Sequence, residues 1–120
     1  MPELVWDETD FTTWLGAVPE VAEYGVSYHY RVQEHGLRLE VTVYPHDSDI
    51  YITVWREGLE DPVIDLKLLG CSGVRYVNDQ RGEYLEVAPG QVYGDRFEKD
   101  FVIPVGLRLS VKPSISLRFF

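Results

Sequence analysis

The chain has 120 residues, a formal net charge of −9 and one cysteine, Cys71. This length suits a single β-rich domain over residues 1–120 and is enough to bury a core unaided. The acidic total excludes nucleic acid as an expected partner, because phosphate backbones attract clusters of Lys and Arg. One cysteine cannot form an internal disulfide, and no apolar run approaches the roughly 20 residues that cross a membrane, so we expect a soluble, cytoplasmic protein.

Residues 1–25 form an acidic segment without Lys or Arg, and they contain the one predicted helix. Asp10 is a suitable N-cap. Pro19 predicts that the helix ends near residue 18, or restarts at the proline and stops at Gly25. We expect this segment to pack on a sheet with Trp14 as its anchor. Its apolar stripe has helical spacing and consists of Phe11, Trp14, Leu15 and Val18.

From residue 26 onward, apolar and polar residues alternate with a period of two, which predicts strands over 26–33 and 37–44. His35 and Gly36 fit a two-residue turn between them, because both residue types tolerate positive φ. The turn fixes the register of the hairpin. The predicted pairs are Tyr30–Val41 and Val32–Leu39 on the apolar side, with Arg31–Glu40 and Gln33–Arg38 on the polar side.

A third strand is predicted over 50–56, after a four-residue loop at 45–48. Its apolar residues face the core when Ile50, Ile52 and Val54 oppose Val43, Val41 and Leu39. The outward pairs are then Thr42–Tyr51, Glu40–Thr53 and Arg38–Trp55. We name the predicted binding residues on this outward side the aromatic face: Arg38, Glu40, Tyr44, Tyr51 and Trp55. The sequence leaves open whether this face is exposed or covered by the N-terminal helix.

The second half of the chain also reads as short strands. Residues 63–69 alternate, and 74–77 with 84–87 predict a hairpin around 79–82. Its register pairs Tyr76 with Leu85 inside and makes Arg75–Glu86 an exposed ion pair outside. Residues 88–100 are predicted to form a loop, marked by Pro89, Gly90 and Gly94 and pinned to the core by Phe97.

Two alternating segments, 107–111 and 115–119, close the chain. Pairing them through a short turn would place Arg108 opposite Arg118, and like charges directly opposite are unfavourable. We therefore expect the two strands to lie in different sheets or to be offset. Seven or eight short strands at this spacing predict a mainly β protein, an antiparallel β-sandwich with one short N-terminal helix, and a partly open barrel is the alternative.

Few residues point to catalysis or to a cofactor. His46, Asp47 and Asp49 could offer metal ligands, but hard cations need about six oxygens and common turn chemistry explains these residues equally well. Cys71 fits a small buried hydrophobe better than a nucleophile. We therefore expect no cofactor, no metal and no enzymatic activity, although dispersed carboxylates that come together on folding remain an alternative.

Two functions agree with this pattern. The first is a non-enzymatic protein-interaction module, such as an acidic inhibitor or immunity-type protein that binds a basic partner. The second is a carbohydrate-binding module that uses Tyr44, Tyr51 and Trp55 as a stacking platform. The excess negative charge alone has a simpler explanation, because net charge also keeps small proteins soluble.

Overall fold

The computed structural model describes residues 4, 6–80, 82–88, 106–112 and 114–120. Within these ranges the chain forms one α-helix and nine strands. Their bounds are α1 (Glu8–Leu15), β1 (Glu20–Val21), β2 (Tyr28–Glu34), β3 (Leu37–Tyr44), β4 (Asp49–Arg56), β5 (Ile64–Leu68), β6 (Gly73–Asp79), β7 (Gly82–Ala88), β8 (Leu107–Ser110) and β9 (Ser116–Phe119). The strands form two antiparallel sheets, which confirms the predicted fold class.

Sheet 1 has the order β1-β2-β3-β4-β5, and the register of β2 with β3 and of β3 with β4 is the predicted one. Tyr30 faces Val41, and Val41 faces Ile52 on the next strand. The turn between β2 and β3 places His35 at φ 50° and Gly36 at φ 76°, both in the left-handed region. The alternation and the turn therefore specify the same pairing, because a slip of one residue would expose every apolar side chain of β3.

Sheet 2 has the order β6-β7-β8-β9, and one hydrophobic cluster joins it to sheet 1. Leu39 and Ile52 of sheet 1 are fully buried in this cluster, as are Leu85 and Leu109 of sheet 2. Each such side chain stabilises the fold by roughly 1.5–3 kcal/mol relative to an exposed one. The inner faces of the two sheets therefore form the core of a sandwich.

Helix α1 begins and ends about one turn earlier than predicted, and its N-cap is Asp7 rather than Asp10. The Asp7 carboxylate accepts hydrogen bonds from the amides of Thr9 at 2.8 Å and Asp10 at 3.2 Å. The helix ends after Leu15 because Gly16 adopts φ 67°, a left-handed C-cap. Val18 is consequently outside the helix and 85% exposed, so its assignment to the apolar stripe was wrong.

No α-helix restarts at Pro19. Glu20–Val21 instead forms strand β1 at the edge of sheet 1, and Glu23–Gly25 forms one 3₁₀ turn. Tyr24 inside that turn has φ 58°, which interrupts helical geometry. The restart predicted to stop at Gly25 is therefore wrong, and pairing with β2 takes its place.

The helix packs against the inner side of the sandwich. The Phe11 ring lies 5.5 Å from that of Tyr30 in sheet 1, and the Trp14 ring lies 5.5 Å from that of Tyr76 in sheet 2. Trp14 is 4% exposed, which confirms its role as the anchor. The described ring contacts of α1 are thus with Trp6 and with inner-face residues of both sheets, and the alternative in which the helix covers the aromatic face is wrong.

The β6–β7 hairpin has the predicted register, with Tyr76 opposite Leu85 and Arg75 opposite Glu86. The ion pair is real, since Arg75 Nη2 lies 2.8 Å from Glu86 Oε1. It is not exposed, because Glu86 is 5% accessible. The Arg75 side chain is 25% exposed, so the predicted exposed pair is a partly buried one, and removal of Arg75 would leave the Glu86 carboxylate without its nearest cation.

The last two strands pair directly, which contradicts the expectation drawn from their charges. Arg108 lies opposite Arg118, with both strands in sheet 2. The physical reason is β7, which places Glu86 opposite Arg108 on the other side. The Arg108 guanidinium also stacks 3.8 Å from the centre of the Phe120 ring. One neighbouring carboxylate and one aromatic ring thus offset part of the repulsion.

One sequence prediction lies mostly outside the described residues. Of the predicted loop over 88–100, the described part is Ala88, which ends β7, and the rest, with Pro89, Gly90, Gly94 and Phe97, lies outside the described residues. Among the described helices, none is long and apolar enough to cross a membrane.

Candidate functional site

The aromatic face lies on the outward side of β3 and β4. Alternation along these strands turns its five members away from the core, and the register places Arg38 beside Trp55 and Thr42 beside Tyr51. All five side chains are partly accessible. The structure therefore brings together the residues that the sequence predicted for binding: Arg38, Glu40, Tyr44, Tyr51 and Trp55.

Glu40 is the charged centre of this face. One carboxylate oxygen, Oε1, lies 2.7 Å from His29 Nε2 and 3.8 Å from Arg31 Nη2. The other, Oε2, lies 3.1 Å from Arg38 Nε. The Glu40 side chain is only 14% exposed, so these contacts are partly shielded from water. The Glu40 carboxylate therefore holds the side chains of His29, Arg31 and Arg38 in place.

His29 extends the network to the adjacent strand. Its Nδ1 lies 2.7 Å from the Thr42 hydroxyl oxygen, so both ring nitrogens have partners. Side chains from β2 and β3 are therefore tied together across the sheet. These side chains are therefore preorganised, and binding to preorganised groups costs less entropy.

The three rings of the face are positioned by cations and by each other. Arg38 Cζ lies 4.3 Å from the centre of the Trp55 ring, and Lys67 Nζ lies 5.4 Å from that of Tyr51. Tyr44 and Tyr51 have centroids 4.9 Å apart. Cation–π contacts of this kind contribute about 0.5–1 kcal/mol each at exposed sites. They also occupy ring surface that a stacked sugar would need.

A groove of about 530 Å³ adjoins the aromatic face at Trp55. It forms because the amide of Glu57 donates to the carbonyl of Gly36 at 2.8 Å, which holds the loop after β4 against the β2–β3 turn. Its lining includes Arg38, Trp55 and the half-exposed Leu59. Three carboxylates also line it: Glu34, Glu57 and Glu60.

Sequence reasoning missed this groove. Its walls come from a turn at residues 34–38 and a loop at residues 55–60, and the strand pattern says nothing about how loops meet. One signal was available, since the predicted pairing of Arg38 with Trp55 already placed the end of β4 beside the turn. The sequence prediction did not include Glu57 and Glu60, the acidic residues that follow β4.

The weak metal candidates do not form a metal site. Across the described ranges, no group of three or more His, Cys, Asp or Glu side chains is arranged to hold an ion. Asp49 instead accepts a hydrogen bond from the Gly70 amide at 3.0 Å, and the Asp47 amide donates to the Tyr44 carbonyl. Asp47 therefore shapes the β3–β4 loop, as turn chemistry predicts, whereas Asp49 begins β4 and binds the link after β5.

Cys71 lies buried in the link between the two sheets. Burial in the core, together with the nearby charge of Asp49, raises the pKa of this thiol to about 11. A thiolate is the nucleophilic form of cysteine, and it is scarce at neutral pH under these conditions. The expectation of a small buried hydrophobe is confirmed.

Comparison with known proteins identifies a similar fold but shows no activity. No protein-family model matches the chain, and no curated protein matches it. Among solved structures, the chain is similar to one in a contact-dependent growth inhibition toxin–immunity protein complex from Klebsiella pneumoniae 342. The TM-score is 0.75 and the sequence identity 16%, over 100% of this chain and 98% of that one. At this identity the likeness shows a shared fold.

Proposed function

We propose that this chain is an immunity-type protein-interaction module that binds a basic protein partner and has no catalytic activity of its own. The observation that carries the proposal is the end-to-end similarity in fold to a chain of a toxin–immunity protein complex. The net charge of −9 supports the proposed basic partner, because an acidic chain attracts and orients such a protein.

The aromatic face and its groove are the proposed docking surface. Trp55, Tyr51 and Tyr44 supply rigid rings that bury a large area at low entropic cost, as interface hot spots do. Arg38 packs on Trp55 at 4.3 Å and keeps that ring oriented before the partner arrives. A basic partner would therefore meet an anchored centre without a large loss of side-chain freedom.

The groove carries a small excess of the negative charge that such a partner needs, because three carboxylates line it together with Arg38 and Arg56. Glu34, Glu57 and Glu60 line it beside the half-exposed Leu59. A Lys or Arg side chain that enters the groove would lay its aliphatic stem on Trp55 and Leu59 and place its charge among the carboxylates. Apolar contact and charge complementarity then act at the same point of the interface.

The test is reconstitution with the purified partner. Proteins captured by this chain from its source cells are expressed alone and together with it, and cell growth is followed. The proposal predicts a basic protein that arrests growth alone and is neutralised by co-expression. Its affinity should fall steeply as salt rises, because charge attraction is screened. A captured partner that leaves growth unaffected contradicts the immunity role.

Two matched variants locate the surface. Trp55→Ala should weaken binding by roughly tenfold or more, as expected for a central aromatic anchor. Tyr24→Ala is the control, since Tyr24 is 92% exposed and lies outside the aromatic face. Equal affinities for the two variants would move the interface elsewhere on the molecule.

Carbohydrate binding is the second candidate, favoured by the Tyr44–Tyr51 ring pair at 4.9 Å. Stacking of a sugar on Trp55 would change its fluorescence and would be insensitive to salt. A variant with Trp6 and Trp14 replaced by Phe leaves Trp55 as the single reporter. Fluorescence that stays constant with added glycans removes this candidate.

A further inference from the structure

Sheet 2 carries a basic cavity in an otherwise acidic chain. The cavity measures about 290 Å³ and is lined by residues of β7, β8 and β9 and the segment between the last two strands. Three cations and three serines form much of its wall: Arg108, Lys112, Arg118, Ser110, Ser114 and Ser116. This concentration of positive charge stands against a net charge of −9 for the whole chain.

The charges in this cavity are incompletely compensated by the described residues. Arg108 lies directly opposite Arg118 in the β8–β9 register. Glu86 is 3.7 Å from Arg108 but binds Arg75 more closely, at 2.8 Å. Arg118 forms no ion pair with a described residue, and the buried Arg108 Nε has no hydrogen-bond partner among them.

One acidic residue, Glu83, lines the cavity with the three cations, so its positive charge is only partly balanced. Glu83 Oε1 accepts a hydrogen bond from the Tyr76 hydroxyl at 2.7 Å. Lys112 points its ammonium group toward the Trp14 ring, 5.5 Å from the centroid, and this contact does not neutralise its charge. The arrangement therefore keeps an unfavourable like-charge pair that a bound anion would relieve.

We propose that this cavity binds a phosphate-sized tetrahedral oxyanion. Guanidinium groups present paired N–H donors whose geometry matches phosphate oxygens, and the hydroxyls of Ser114 and Ser116 add further donors. The Ser110 hydroxyl instead donates to the backbone carbonyls of Glu83 and Lys112. Three cations and two hydroxyls supply more donors than a single planar carboxylate accepts. With about 30 Å³ per water molecule, the cavity also has room for the anion and part of its hydration shell. This site is independent of the proposed docking surface, which lies on sheet 1.

The experiment measures thermal unfolding of the full chain in inorganic phosphate, against chloride and acetate at matched ionic strength. Ligand that binds the folded state raises the unfolding temperature. Wild type is compared with Arg118→Gln, and Arg56→Gln is the control, because it removes the same charge from an exposed position on sheet 1. Far-UV circular dichroism establishes that each variant is folded.

The site predicts that phosphate, but not acetate, raises the unfolding temperature of wild type and Arg56→Gln. Arg118→Gln should lose the effect, with phosphate affinity lowered roughly tenfold, as expected when one charge-assisted contact is removed. Without phosphate, Arg118→Gln should unfold at a slightly higher temperature than wild type, since the like-charge pair is gone. A phosphate effect equal in all three proteins, equal to that of acetate, or absent from wild type overturns the proposal.

Discussion

Each sheet holds one glutamate among cations on the side turned away from the core, but the two sheets treat it differently. Glu40 in sheet 1 contacts His29, Arg31 and Arg38 and is 14% exposed. Glu86 in sheet 2 lies between Arg75 and Arg108, and its side chain is 6% exposed. Sheet 1 thus uses its carboxylate to organise a partly accessible surface. In sheet 2, the Glu86 carboxylate offsets part of the repulsion between neighbouring arginines.

Among the variants that test these two roles, Glu86→Gln should have the largest effect on stability. Glu86→Gln leaves two largely desolvated guanidiniums without their shared carboxylate, and the free energy of unfolding should fall by about 3 kcal/mol. Urea denaturation measures this loss. A loss below about 1 kcal/mol would show that Glu86 behaves as a surface ion pair after all.

Cys71, in the link between the sheets, should react slowly with thiol reagents. With its pKa raised from 9.0 to about 11, the thiolate population at neutral pH is roughly a hundredfold lower than that of an ordinary thiol. The reaction rate in the folded chain is compared with that in urea. Equal rates in the two states would contradict the burial of this thiol.

The same group predicts a loss of stability at alkaline pH. A raised pKa in the folded chain means that the unfolded chain releases the proton first, so stability falls as pH rises from about 9 toward 11. Cys71→Ala should have a flatter profile between pH 9 and 10, below the range in which Tyr30, whose pKa burial raises to about 12, contributes. Identical profiles for the two proteins would contradict the assignment.

Glu40→Gln should cost less than Glu86→Gln, about 1.5 kcal/mol, because water partly replaces the lost contacts. Asp65→Asn is the matched control, an exposed carboxylate in the same cross-strand row, and should change stability by less than about 0.5 kcal/mol. If Glu40→Gln lowered the free energy of unfolding no more than this control, the network around Glu40 would not contribute to stability.

The smallest effect concerns the turn that sets the register of sheet 1. Gly36→Ala should destabilise by about 1 kcal/mol, because φ 76° is unfavourable for residues with a Cβ. The added Cβ would meet only Glu57 Oε2 at 3.8 Å, an ordinary contact, so the cost is conformational. Gly36→Asn should lose less, since asparagine tolerates this region. Equal losses for Ala and Asn would contradict this explanation.

The predictability of the two sheets also differed, for physical reasons. In sheet 1, the His35–Gly36 turn and strict alternation fixed the pairing locally, so the members of the aromatic face could be named from sequence. In sheet 2, the β8–β9 pairing depended on Glu86, which comes from a strand distant in sequence. A pairwise charge rule applied to Arg108 and Arg118 alone therefore gave the wrong answer.

Local ambiguity explains the other errors. Asp7 and Asp10 both suit an N-cap, and Gly16 ends the helix before Val18 can join its stripe. The two-residue strand β1 has no pattern of its own and forms only because β2 offers an edge. The groove beside Trp55 depends on a contact between Gly36 and Glu57, which alternation does not encode.

Side-chain oxidation footprinting of the chain with its purified partner tests the proposed docking surface most directly. The account predicts that Trp55 and Tyr51 are oxidised more slowly in the complex, while Tyr24 and Phe119, which are exposed elsewhere, react as before. Protection of Phe119 in sheet 2 with unchanged oxidation of Trp55 would contradict it and place the interface on the other sheet.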